Sequence, residues 1–173
     1  MEEKQKGSEK KVMVVIDESV HSHYALMWLL ENLKELLTNS SVTIFATQPF
    51  PNNNTVSAQI GFGHFHYPFV NNKDLLNSTQ QRNEKISLAL CEKAKSICAR
   101  RGVEVEAFTE VGNPKEIICE AISKHGTDLL VMANYPSSPI KRFFEETLSE
   151  YCLKNAKCPV LLVEKPAEPK AVN

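Results

Sequence analysis

Chemistry on this chain can be sought in the segment from Asp128 to Cys152, DLLVMANYPSSPIKRFFEETLSEYC. Asp17 ends a short apolar run, Val12 to Ile16. The segment opens with another, Leu129 to Met132, continues through a polar turn, Ala133 to Ser138, and predicts a helix from Pro139 to Asn155. Strand, turn and helix N-terminus together make the usual place for an anion or a nucleotide in an α/β protein. Each residue also has a plain structural reading. Asp17 can cap a helix at a strand end. Ser138-Pro139 reads as an N-cap serine followed by a proline at the first helical position, which explains both residues without a ligand. Thr147 falls inside the predicted helix as a surface residue.

Other constellations are incomplete. His64 and His66 lack a carboxylate or cysteine partner and read as an aromatic loop packed over a cleft. Gly61-Phe62-Gly63 follows no strand, so it is not a dinucleotide fingerprint. His21 and His23 read as the exposed first turn of a helix. The five cysteines, at 91, 98, 119, 152 and 158, have no CxxC spacing and read as reduced, packed thiols. No Ser/His/Asp or Cys/His arrangement follows from spacing, and no base, metal set or transition-state donor can be named, so the chain reads as a non-enzyme.

The elements that must position these residues alternate. VMVVI is β-branched and short, as a strand buried on both faces reads. A helix follows over 20–37 with Ala25, Trp28, Leu29, Leu33 and Leu36 as its inner stripe. Val42 to Thr47 is a second strand. Residues 48–72 have no periodicity and form a long loop. Asp74 to Arg101 is a long helix with Ile86, Leu90, Ala94 and Ile97 on one face, widened by Leu88, Cys91 and Cys98. Gly102 closes it. Val103 to Phe108 is a third strand, Pro114 starts a helix that ends near Gly126, and Pro159 to Val163 is the fifth strand. Strands alternating with helices predict a parallel sheet covered on both faces. One domain is expected over 11–166, between a disordered tail at 1–10 and a tail at 167–173.

Composition narrows the function classes. The chain has 173 residues, 42% hydrophobic and 24% charged, with a net charge of −1. That gives no global field for nucleic acid or an anionic membrane. No apolar run approaches the ~18 residues of a membrane helix. The polar start MEEKQKGSEKK is no secretory signal, so a cytoplasmic or nuclear protein is expected.

The ordered blocks VVIDES (14–19), HSHYALMWLL (21–30), VGNP (111–114), TDLLVM (127–132) and KCPVLLVEKP (157–166) resemble the universal stress protein family across residues 10 to 166, and look most like its plant single-domain members. The resemblance implies a Rossmann-like five-stranded parallel sheet of the adenine nucleotide alpha hydrolase type, in the order 3-2-1-4-5, and a homodimer. Many members bind ATP or AMP. It places the nucleotide near Asp17, which would meet a ribose hydroxyl or the adenine, and near Met132, Ala133, Asn134, Ser138 and Thr147. It also puts the last strand, with Val160, Leu161, Leu162 and Val163, at a sheet edge where a second copy can pair.

The family's phosphate loop reads G-x-x-G, nine residues, then G-S/T. Here Ala133, Pro136 and Glu146 stand in place of the three glycines, Ser138 replaces a further glycine, and Thr147 keeps the hydroxyl. Pro136 and Pro139 have no N–H to donate. Glu146 would set a carboxylate where the family places phosphate, and two charges about 4 Å apart at an effective dielectric of about 20 repel by about 4 kcal/mol. The expected function is a non-enzymatic stress-response regulatory or interaction protein on a nucleotide-binding fold with a degenerate phosphate loop. The alternative is an ATP- or AMP-dependent switch.

Overall fold

The computed structural model of the chain describes residues 9–48, 50–51, 73–135 and 146–167. Five strands carry the fold: β1 (Lys10–Ile16), β2 (Ser40–Gln48), β3 (Val105–Val111), β4 (Leu129–Asn134) and β5 (Val160–Glu164). Between them run α1 (Val20–Asn32), α2 (Lys34–Thr38), α3 (Lys73–Arg100), α4 (Pro114–His125) and α5 (Leu148–Asn155). The sheet order is β3-β2-β1-β4-β5 and every neighbouring pair is parallel, the topology that the family resemblance implies.

Two cores follow from the period of two along each strand. On one face Val12, Val14, Ile16, Val42, Ile44, Ala46, Val131 and Val163 pack against α1 and α3. On the other, Met13, Val15, Phe45, Leu130 and Met132 pack against Ile117, Ile118, Ala121 and Ile122 of α4 and Cys152 of α5. Because β1 and β4 are covered on both sides, their sequences are continuously apolar rather than alternating. α4 is closed at both ends by its own sequence. The Asn113 side chain accepts from the Lys115 amide at 3.1 Å, Pro114 opens the helix, and Gly126 ends it at φ +63°, a left-handed position suited to glycine.

The structure corrects several boundaries. The first helix is broken at Leu33 (φ −124°, ψ 27°), so α2 restarts in a new phase. Its buried residue is therefore Leu37 and not Leu36, and the inner face of α1 is Ser22, Ala25, Leu26, Leu29 and Leu30. Lys10 belongs to β1 rather than to a tail. Gln48 ends β2 rather than opening a loop, since it pairs with Val111 at the end of β3. Leu88 lies on the outer face of α3, 49% exposed, whereas Cys91, Ala94 and Cys98 face the core. The last helix begins at Leu148, so Glu146 and Thr147 precede it. Of the expected loop over 48–72, residues 49 and 52–72, with His64 and His66, lie outside the described residues, as does the turn from Pro136 to Ser138. Among the described residues, no helix is long and apolar enough to cross a membrane.

Candidate functional site

The chain leaves β1 in one direction across the sheet and β4 in the other, so a crevice opens where the carboxyl ends of these two neighbours meet. Their register pairs Val14 with Val131. Three residues further on, Asp17 comes level with Asn134, and Tyr135 lies one step beyond.

Asp17 is fixed by the start of α1. Its own amide donates to Ser22 Oγ at 2.9 Å, and its Oδ1 accepts from the Ser19 amide at 2.8 Å. Ser19, rather than Asp17, is the N-cap, with its Oγ accepting from the Ser22 amide at 3.0 Å. The second carboxylate oxygen, Oδ2, accepts from the Tyr135 hydroxyl, and the Ser19 hydroxyl donates to Tyr135 Oη at 3.2 Å. Ser19, Tyr135 and Asp17 thus form one hydrogen-bonded chain across the crevice. Burial pushes the Tyr135 phenol well above its usual range, and the Asp17 carboxylate that takes its hydrogen bond raises it further, so Tyr135 remains a donor at neutral pH.

His21 is not a free first-turn residue. Its ring meets Tyr135 edge-on at 5.6 Å between centroids and 64° between planes. Its Nδ1 is buried and finds no hydrogen-bond partner among the described residues. The cavity beside Asp17, which reaches between α1 and α3 along Ser19, Ser22, Leu90, Ala94 and Ile97, holds about 60 Å³. That is well below the roughly 300–1,000 Å³ of a small-molecule site. A larger hollow of about 560 Å³ lies at the amino ends of the strands, around Ser40, Gly102 and Glu104, on the opposite end of the sheet.

The N-terminus of α5 opens at the same end of the sheet as Asp17, since the helix descends from β4 to the start of β5. Two amides there, those of Thr147 and Glu150, are taken by the chain itself. Thr147, expected inside a helix, is the N-cap. Its Oγ1 accepts from the Glu150 amide at 3.2 Å, while the Glu150 carboxylate accepts from the Thr147 amide at 2.8 Å. This is a complete capping box. The Glu146 carboxylate pairs with Lys154 at 2.8 Å, and its carbonyl accepts from Lys115 Nζ at 2.7 Å. Lys115 also sits over the Tyr151 ring at 5.6 Å. The acid at the helix N-terminus is therefore Glu150, and Glu146 is turned along the flank of α5.

The remaining expected positions are dispersed. The Met132 and Ala133 side chains are both 2% exposed and pack in opposite cores. Asn134 Nδ2 donates to Glu164 on β5 at 3.3 Å. Ser138 lies outside the described residues. Among the described members of the expected set, Asp17 is the one that makes a side-chain hydrogen bond across the crevice, to Tyr135. Its partners Tyr135, Ser19 and Ser22, and His21 against the Tyr135 ring, are not singled out as site residues by the sequence. The signal that could have found Tyr135 is its place just past β4, the neighbour of β1, but the register had to be known first.

Three comparisons agree with this architecture. Residues 9–164 match the model of the universal stress protein family. A universal stress protein A-like protein of Arabidopsis thaliana is 27% identical over 94% of this chain and 94% of its own length. Among solved structures, a universal stress protein UspA from Lactobacillus plantarum superposes with a TM-score of 0.67 at 14% identity, covering 89% of this chain and 97% of that one. A family protein from Arabidopsis thaliana with AMP bound gives 0.62 at 22% identity, covering 94% and 97%. With a family match across nearly all the chain, and with the strand order and switch-point crevice already in place, the chain belongs to the universal stress protein family.

Proposed function

We propose that this protein is a non-enzymatic regulatory and interaction module whose phosphate-binding end has been given over to its own side chains. The observation that carries the reading is the capping box of α5. The Thr147 amide and hydroxyl, which a phosphate would need, are engaged by Glu150. A nucleotide phosphate at this helix end would have to displace a carboxylate of its own sign. Ala133 adds a Cβ where the family has glycine, and it is packed in the core. The exposed edge strand β5, with Val160, Leu161 and Leu162 half-buried and Val163 buried, supports assembly as a homodimer through that edge.

Calorimetric titration with ATP and AMP, with and without Mg²⁺, tests this reading. The expected result is no binding in the micromolar range. Micromolar binding would overturn it and make the protein a nucleotide-dependent switch. That second reading is supported by Asp17, which stands at the carboxyl end of β1 with one oxygen facing the crevice, and by the AMP bound to the Arabidopsis family protein.

A further inference from the structure

Three of the five cysteines meet away from the crevice. Cys119 is on α4, Cys152 is on α5, and Cys158 lies just before β5. The inner face of α4 is Ile117, Ile118, Ala121 and Ile122, so Cys119 falls on its flank, half-buried. Cys152 is 0% exposed in the core that α4 and α5 share, and Cys158 packs against that core. The thiols of Cys119 and Cys152 share a hydrogen bond, which joins two sulfurs from neighbouring helices. The bond is uneven. Burial raises both thiols, Cys152 up to about 12, while the shared bond lowers Cys119 and raises Cys152 further. Cys152 therefore keeps its proton and donates it, and Cys119 is the sulfur that ionises first. The three thiols are not a metal centre, since among the described residues no group of three or more His, Cys, Asp or Glu side chains could hold a metal ion.

We infer that Cys119 is an oxidation site for hydroperoxides and that Cys152 resolves it, closing an intramolecular disulfide between α4 and α5. The steps balance. The Cys119 thiolate attacks one peroxide oxygen, the O–O bond breaks, and a sulfenic acid forms as hydroxide leaves and takes up the proton that Cys119 gave up. The Cys152 sulfur then attacks the Cys119 sulfur. An S–S bond forms, the S–O bond breaks, and the Cys152 proton departs with the hydroxyl as water. Two thiols lose two electrons, and one hydrogen peroxide is reduced to two waters. Cys152 needs no access to solvent, because its partner is already in contact with it. Cys158 is left out, since it bonds to the Leu130 backbone instead. Proximity is what the fold supplies. Speed is what burial withholds: thiolate is scarce at neutral pH, so the pair responds to sustained peroxide and not to a brief pulse. Because α5 leads directly into β5, the link fastens the helix that precedes that sheet edge.

Peptide mapping of the full chain tests the site. The native protein is held with hydrogen peroxide, the peroxide is removed, and the remaining thiols are blocked with iodoacetamide. Trypsin then cuts after Lys124, Lys154 and Lys157, which puts the three cysteines on separate peptides. The expected product is a Cys119–Cys152 link, two hydrogens lighter than the free pair, with Cys158 carrying the blocking group. The link should form about tenfold faster at pH 8 than at pH 7, because the thiolate is the attacking species. An equal rate at the two pH values overturns the thiolate step. The linked chain should melt about 5 °C or more above the reduced one, and a thiol reductant should remove the difference. An unchanged melting temperature overturns the claim that the link fastens α5 in its native place. Cys119→Ser, a change on a helix flank, should show neither the link nor the shift, whereas Cys158→Ser should show both. Conversion of Cys119 to sulfinic or sulfonic acid without a link, a link through Cys158, a link between two chains, or no oxidation in excess peroxide each overturns the proposal.

Discussion

Thr147→Ala tests whether the start of α5 is held by the reciprocal cap. The helix has only 8 residues, too few to nucleate alone, so its order depends on the cap and on the docking of Ser149 and Cys152. The substitution removes Oγ1, the acceptor of the Glu150 amide at 3.2 Å, but leaves the bond from the Thr147 amide to the Glu150 carboxylate at 2.8 Å. Loss of an N-cap hydroxyl costs about 1 kcal/mol, within a range of about 0.5–2. For a chain of this size that is a fall in Tm of about 2–4 °C. Glu150→Ala removes the other half of the box and should cost a similar amount. The two halves hold one another in place, so the double variant should lose less than the sum, by about 0.5 kcal/mol. Urea unfolding followed by circular dichroism at fixed protein concentration measures all three, with Thr147→Ser expected to keep the wild-type midpoint. The reasoning is refuted if Thr147→Ala leaves stability unchanged within about 0.3 kcal/mol, or if the two losses simply add.

Two further outcomes follow from the packing. Gly112 precedes α4, and a Cβ there would run into Ile117 Cγ2, which is buried at 7% exposure. Gly112→Ala should destabilise by about 1–3 kcal/mol, and an unchanged urea midpoint would refute this account of the close approach. The buried Cys98 and Cys152 thiols are pushed up to about 11 and about 12 by the loss of water around them. Both folded-state values lie above the unfolded one, so the native chain keeps protons that the unfolded chain releases. Stability is therefore whole below about pH 9 and falls as pH rises toward 11, by up to about 1.4 kcal/mol per pH unit for each thiol. Cys98→Ala should flatten that fall when urea midpoints are compared at pH 8 and pH 10, and an equal slope in the variant would refute the assignment.

The sequence carried the fold because its signals are local. Continuous apolar runs at Val12–Ile16 and Leu129–Met132 can be satisfied only by strands buried on both faces, and the helices between them force parallel crossovers. Asn113-Pro114 and Gly126 mark the ends of α4 by capping chemistry that acts within a few residues. Asp17 is singled out through the family resemblance, which places a first-strand aspartate near the adenosine. The strand order came from the resemblance to the family, and the sheet has that order.

The site was decided by tertiary structure. That Tyr135 reaches Asp17 depends on the register of β1 against β4 and joins residues 118 positions apart, which no local pattern encodes. His21 looked exposed because a first helical turn usually is, but Tyr135 packs against its ring. Thr147 looked helical because the apolar spacing around it is helical. It became a cap when the Glu150 amide and carboxylate closed on it. Glu146 looked like the acid that would repel phosphate, yet it pairs with Lys154, and Glu150 holds the helix end. Sequence alone determined which elements form, and the family resemblance supplied the strand order that opens a crevice between β1 and β4. Which side chains fill that crevice was settled by the three-dimensional register, because hydrogen bonds between distant residues depend on where the packed sheet places their ends.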